Sequence, residues 1–341
     1  MSAAVSDLVD DARPAPPRRP SRPPNEPRRF PRRSRPGRAP SSEAQRIRRA
    51  YGARVRAITR PPPGLLALAR DAGLHLAFAA TVAFAHHALL ARDVVAGALA
   101  WPLAAYLVAT RLRALANMLH EASHGLLVRD RRANRVVGSL LAVVDFTSLD
   151  AYTAEHFTHH RHLGDPVKDL DFAARLRLGF AARGPRFTVL HGLRPLTLFH
   201  LGAFLRPTLR DPAGAPWVAA ARALYLLALA AALVTRFEVT MLYAVLPYLT
   251  AYQVVRYWSD AADHAGILGE SEELNRARNH ILPGAILNWI VMPRQDQYHL
   301  VHHLFPAVPV RDQGAVHRLL LGDPAYAARD HSFAAALRGG L

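Results

Sequence analysis

Apolar residues are concentrated in four stretches of the chain, and each comes close to the length needed to cross a bilayer. A membrane-spanning helix needs about 17 to 25 predominantly apolar residues. The four stretches carry almost no charge, and they cover residues 74–91, 94–110, 216–235 and 239–255. The pattern therefore predicts an all-α integral membrane protein with about four transmembrane helices.

Very short polar turns separate the members of each pair of stretches. Arg92 and Asp93 separate the first two, and residues 236–238 separate the last two, so we expect two helical hairpins. The N-terminal segment, residues 111–215 and the C-terminal region then lie together on the other side. Arginine-rich segments favour the cytoplasmic side. We therefore expect a helical cap on the cytoplasmic face of a bacterial plasma membrane.

The first 60 residues differ in composition from the rest of the chain. They hold 16 arginines against five acidic residues, out of a net charge of +17 for the whole chain, and they are rich in proline. Such a segment cannot build a core, so residues 1–60 are predicted to be a disordered cytoplasmic tail and residues 61–341 the membrane domain. The positive charge suits a topology signal beside anionic lipid. No nucleic-acid recognition motif accompanies it, so no nucleic-acid partner is expected.

Histidines form three clusters, HEASH, HFTHH and HLVHH, and these carry the candidate chemistry. Spacings of three and four residues place imidazoles on one side of a helix. Eight imidazoles exceed the four ligands that one zinc ion takes, so they indicate two metal ions, and imidazole suits iron. The eight candidate ligands are His120, His124, His156, His159, His160, His299, His302 and His303.

Helix length adds a ninth candidate from a separate part of the chain. If the second and fourth stretches continue as helices, His120 lies about 15 Å beyond Thr110 and His264 about 13.5 Å beyond Val255. Both histidines would then stand at a similar height above the bilayer. Asp260 precedes His264 by one turn, where its carboxylate could orient a ligand or a metal-bound water.

The clusters in their order, HEASH, HFTHHRHLGDP and QYHLVHHLFPAVP, resemble the three histidine boxes of the membrane fatty acid desaturase-like family of non-haem diiron enzymes. The resemblance implies that the eight histidines bind two iron ions. Some members add a ninth histidine, which His264 matches. It also implies an O2-dependent oxidoreductase that introduces a C=C bond into a fatty acyl or other lipid-like chain.

Two other interpretations remain open. A hydroxylase or ketolase of the same diiron family could use the same ligands on a lipid or a specialised metabolite. A metal-binding membrane protein without redox chemistry belongs to a different class, although its site would be expected near the middle of the bilayer rather than beyond the spans.

Polar residues near the second cluster are candidates for supporting the ligands. Asp165, Asp169 and Asp171 could accept hydrogen bonds from the outer N–H groups of ligand imidazoles, or they could cap an exposed turn. His162 lies two residues after His160 and therefore off the ligand face of a helix. We expect it beside the ligands or in solvent.

Electrons must come from another protein. The chain has no cysteine, so it holds no Fe–S cluster of its own, and it has no glycine-rich dinucleotide fingerprint. A ferredoxin or a b-type cytochrome with its reductase is the expected partner, together with membrane lipid and the lipid-like substrate. The arginine-rich cytoplasmic face could steer an acidic donor.

Overall fold

A computed structural model of the protein describes residues 42–184, 186–205 and 214–339. Every regular element in this part of the chain is helical, as the apolar pattern predicts. The long helices are α1 (Glu43–Ile58), α2 (Leu65–Arg92), α3 (Val94–Ser123), α4 (Arg131–Val144), α5 (Leu149–His162), α8 (Pro216–Thr235), α11 (Ala251–His264) and α14 (Val310–Leu320).

Short helices connect the long ones and fill the region around the histidines. They are α6 (Ala173–Arg177), α7 (Leu201–Phe204), α9 (Phe237–Thr240), α10 (Leu246–Leu249), α12 (Ala285–Val291), α13 (His299–Leu304), α15 (Pro324–Ala327) and α16 (Phe333–Leu337). Short segments of π-helix (Val189–Leu193, Met241–Val245) and of 3₁₀-helix (Arg194–Thr197, Glu273–Asn275, and Pro293–Tyr298, which is kinked at Arg294 and Gln295) complete the helical content of these residues.

Within the residues that the structure describes, three helices are long and apolar enough to cross a membrane: α2, α3 and α8. The predicted spans 74–91, 94–110 and 216–235 lie within them. Their apolar windows are largely exposed, as expected for surfaces that face lipid. The same residues contain a fourth candidate span if α4 and α5, which meet at an angle of 94°, are taken together as one broken span.

The fourth predicted span, residues 239–255, is not one continuous helix. It is divided into α9, a π-helical turn, α10 and the start of α11. Pro247 has no N–H to donate within the helix, and a preceding wide turn relieves the clash of its ring. Thr250 then leaves helical geometry, with φ −117° and ψ −87°. After this break α11 continues to His264, as the helix-length argument requires.

The prediction of a disordered tail was wrong for residues 43–58, because they form α1. Ser42 caps the helix by accepting a hydrogen bond from the Gln45 N–H. Four apolar side chains at helical spacing are buried against the C-terminal helices, a stripe that the many arginines concealed. They are Ala44, Ile47, Tyr51 and Val55. Residues 1–41 lie outside the described part of the structure, so the prediction of disorder is untested there.

A buried arginine holds the end of α11. Arg278 is 1% exposed, and its guanidinium donates to the carbonyl oxygens of Ala261, Ala262 and Ala265. The carbonyls of a helix's last turn lack the N–H groups of a following turn, although that of Ala261 also accepts from the Ala265 N–H. The arginine thus satisfies the helix end and, with it, stabilises the position of His264.

Gly164 is required by the turn that follows α5. Its φ is +80°, and an added Cβ would lie 2.6 Å from the carbonyl oxygen of Leu268. Replacing Gly164 with alanine is therefore expected to lower the free energy of unfolding by about 1–3 kcal/mol. Thermal unfolding of the detergent-solubilised protein would measure this. Gly179 also has a positive φ, +91°, but open space at the Cβ position, so Gly179→Ala is the matched control. Equal losses in the two variants would contradict the steric explanation.

Candidate metal centre

All nine candidate histidines converge, and they form two groups. Within each group the ring nitrogens that face inward lie within 4.8 Å of one another. The first group consists of His120, His124, His156, His160 and His302. The second group consists of His159, His264, His299 and His303. The structure thus brings together donors from α3, α5, α11 and α13 at two adjacent points.

The helical repeat explains how two helices each contribute to both groups. Residues four apart on a helix differ by about 40° in direction, whereas residues three apart differ by about 60° in the opposite sense. On α5, His156 and His160 therefore point the same way, with their Nε2 atoms 3.0 Å apart, and His159 points to the second group.

The α13 histidines are also divided between the two groups, but here the two residues four apart belong to the second group and the third residue to the first. His299 and His303 share the second group, with their Nε2 atoms 3.0 Å apart. His302 points to the first group, where its Nε2 lies 2.9 Å from Nε2 of His160. The second and third histidine clusters are therefore interleaved.

The outer ring nitrogens of several of these histidines are held by fixed acceptors. Nδ1 of His159 donates to Asp169 at 3.0 Å, and Nδ1 of His156 lies 3.3 Å from a carboxylate oxygen of Asp171. Nδ1 of His264 donates to the backbone oxygen of Arg276 at 2.8 Å. These contacts place the proton on Nδ1 and leave the Nε2 lone pair facing the group, as metal ligation requires.

Asp263 has the same role, and the sequence did not reveal it. Its Oδ1 accepts from Nε2 of His280 at 2.8 Å and lies 3.5 Å from Nδ1 of His299. Burial raises the pKa of Asp263 to about 6. His280 has no other histidine at ligand spacing in the sequence. The one signal in the sequence for these contacts of Asp263 is its position next to His264, which directs its side chain behind that candidate ligand.

The remaining supporting candidates are placed differently from Asp169. Asp260 pairs with Nε of Arg175 at 3.0 Å instead of contacting His264. Asp165 accepts from the backbone N–H groups of Val167 and Lys168, so it caps the turn. His162 belongs to neither group, as its position off the ligand face of α5 predicts.

Burial favours the neutral form of the three α13 histidines. Burial, followed by the proximity of other imidazoles, lowers the pKa values of His299, His302 and His303 well below the usual histidine range. A neutral imidazole keeps the lone pair that binds a metal. Several neutral nitrogen donors in each group fit a transition metal of the imidazole-preferring kind and do not fit magnesium or calcium.

The comparison with known families agrees with the histidine boxes. The family model described as "Fatty acid desaturase" matches residues 96–333. The chain belongs to the fatty acid desaturase family. The matched range includes all nine histidines, and the protein is therefore an oxidoreductase. Its apolar helices make this desaturase-family protein a membrane protein.

A curated relative is similar over most of its length. Dihydrorhizobitoxine desaturase from Bradyrhizobium elkanii is 28% identical over 254 residues, which cover 67% of this chain and 69% of that protein. The relative is thus also named as a desaturase, in agreement with the family.

Proposed function

We propose that this protein is an O2-dependent desaturase that introduces a C=C bond by means of two iron ions. The observation that supports the proposal is the pair of adjacent histidine groups, five and four imidazoles, in a chain of the fatty acid desaturase family. When bound, the iron pair supplies the reduction of O2 and the removal of hydrogen from unactivated C–H bonds, which no side chain can perform.

The protein's own residues provide position and charge. Nε2 atoms of the first group would hold one ion, and those of the second group the other. Asp169, Asp171 and Asp263 hold the rings of His159, His156 and His299 from behind. The imidazoles need little reorganisation to bind metal, because these contacts and the surrounding helices already orient them.

Desaturation is favoured over hydroxylation or ketone formation because the curated relative is named a desaturase. In the proposed arrangement the histidine groups and the arginine-rich segments face the cytoplasm of a bacterium. Electrons arrive from a ferredoxin or a b-type cytochrome, since the chain has no cysteine for a cluster of its own.

Metal analysis of the purified full-length protein tests the proposal. We expect about two iron ions per chain, and O2 consumption that depends on a reductase and ferredoxin. Mass spectrometry of the product should show loss of two hydrogens. A gain of oxygen would favour the hydroxylase instead. Stoichiometric zinc that iron cannot replace, with no O2 consumption, would contradict the enzyme proposal altogether.

A further inference from the structure

A cavity of about 80 Å³ touches histidines of both groups, so it is where a reacting substrate would lie. It contacts the rings of His120 and His156 from the first group and of His159 and His299 from the second. Its volume is far below the ~300–1,000 Å³ of pockets for drug-sized ligands. The charged side chains that line the rest of it include Arg113, Arg175, Arg256, Asp145, Asp260 and Asp296.

We propose that the substrate is a small molecule carrying both an anionic and a cationic group, such as an amino-acid-like compound, and not a hydrocarbon chain. Arg256 binds the anionic group and Asp145 the cationic one. This inference rests on the proposed desaturase function and names its substrate class.

The charged walls disfavour an acyl chain. A methylene chain in this cavity would displace water from buried carboxylates and guanidinium groups without giving them new hydrogen bonds. A zwitterion of similar size would replace that water with charge-assisted hydrogen bonds.

A larger apolar cavity is present, but it does not reach the histidine groups. It has a volume of about 370 Å³ and is lined by Phe187, Trp258 and Leu337, among others, and by none of the nine histidines. Arg113 and Asp296 lie in the walls of both cavities. Two hydrogen bonds, 3.0 and 3.1 Å, join them, so an apolar chain could reach the histidines from there only by breaking a buried ion pair.

Arg256 has hydrogen-bonding capacity to spare, unlike the other two arginines. Arg113 pairs with Asp296 and Arg175 with Asp260. The Arg256 guanidinium stacks near the rings of Tyr252 and Phe204 and makes one long contact, 3.5 Å, with the carbonyl oxygen of Phe204. Among residues 42–184, 186–205 and 214–339 no carboxylate lies within 4.0 Å of it. An arginine oriented in this way suits a carboxylate.

Asp145 supplies the opposite charge. Its Oδ1 accepts a hydrogen bond from the Tyr252 hydroxyl at 2.8 Å, and no cation in the described part of the chain pairs with it. Arg256 and Asp145 therefore line one cavity without contacting each other. Two unpaired charges of opposite sign on the walls of one cavity match a substrate that carries both.

Comparing cells that express the protein with cells that express the His302→Ala variant would test the substrate class. Aqueous and lipid extracts of both would be analysed by mass spectrometry after labelling of amines. We expect an amine-containing compound in the aqueous extract that has lost two hydrogens, and unchanged acyl chains. New double bonds confined to the lipid extract would overturn this inference and leave the desaturase proposal intact. No such difference in either extract would overturn both.

Substitutions of Arg256 test whether it binds the anionic group of the substrate. With the aqueous extract of the His302→Ala cells as the substrate source, Arg256→Gln is expected to lower product formation at limiting extract on the order of 100-fold. Arg256→Lys should recover part of it. Iron content and thermal stability should match the unmodified protein. Leu337→Gln, in the apolar cavity, is the control and should have little effect. The reverse ranking, with Leu337→Gln the more damaging, would refute the assignment.

Discussion

Replacing His302 with alanine is expected to abolish desaturation and to lower the iron content of the protein. His302 is the one residue of α13 in the first group, where its Nε2 lies 2.9 Å from that of His160. Residues that merely orient a ligand affect metal affinity or activity about 10–100-fold, so loss of a ligand itself should cost more than about 100-fold in turnover. Iron quantification and product formation under saturating electron donor would measure the two effects.

His162→Ala is the matched control for this substitution. His162 lies within the same histidine-rich stretch as His159 and His160 but belongs to neither group. The control should keep its iron and its activity. An active His302→Ala protein with full iron content would contradict the assignment of the first group, whatever the behaviour of the control.

The second large effect is expected at Asp169. This carboxylate is fully buried and accepts three hydrogen bonds, from Nδ1 of His159 and from the N–H groups of Gly164 and Phe172, at 3.0 to 3.1 Å. Replacing Asp169 with alanine leaves all three donors without a partner. We expect a loss of about 3 kcal/mol or more in the free energy of unfolding, and metal affinity lowered about 10–100-fold.

Thermal unfolding and competition with a chelator would separate these two consequences. Asp165→Ala is the control from the same turn, because Asp165 is only partly buried and its carboxylate accepts from the neighbouring N–H groups of Val167 and Lys168. Its loss should be about 1 kcal/mol, typical of a cap, without an effect on iron. Comparable chelator sensitivity in the two variants would argue against an orienting role for Asp169.

The convergence of the clustered histidines was predictable because their directions depend on local periodicity. Histidines at i, i+3 and i+4 on a helix must diverge into two directions, and α5 and α13 both follow that rule. His264 was predictable from helix length, even though Thr250 interrupts the helix below it, because α11 resumes and ends at this histidine.

Contacts between distant segments were not predictable. Asp263 and His280 meet only after the chain folds back beyond α11, and neither has a partner at helical spacing. The helix α1 was missed for a different reason. Its four buried side chains are outnumbered by charged neighbours, so average composition concealed the amphipathic stripe.

The character of the cavity was also concealed in the sequence. Arg113, Asp145 and Arg256 come from three separate segments, and each alone is indistinguishable from a charge at a membrane surface or a helix end. The expectation of a lipid-like substrate rested on family resemblance, which does not describe the walls of this particular cavity.

Asp169, Asp171 and Asp263 determine the charge balance of the centre. Imidazole ligands carry no negative charge, so they would not counter the charge of two metal cations bound in this buried site. The three carboxylates would supply negative charge from behind the histidines: Asp169 and Asp171 are hydrogen-bonded to His159 and His156, and Asp263 lies 3.5 Å from Nδ1 of His299. Both histidine groups would receive this compensation, since Asp171 contacts a member of the first group and Asp169 and Asp263 contact members of the second. Bound cations would therefore be balanced electrostatically by carboxylates that lie behind the histidine rings and not among the metal-facing nitrogens.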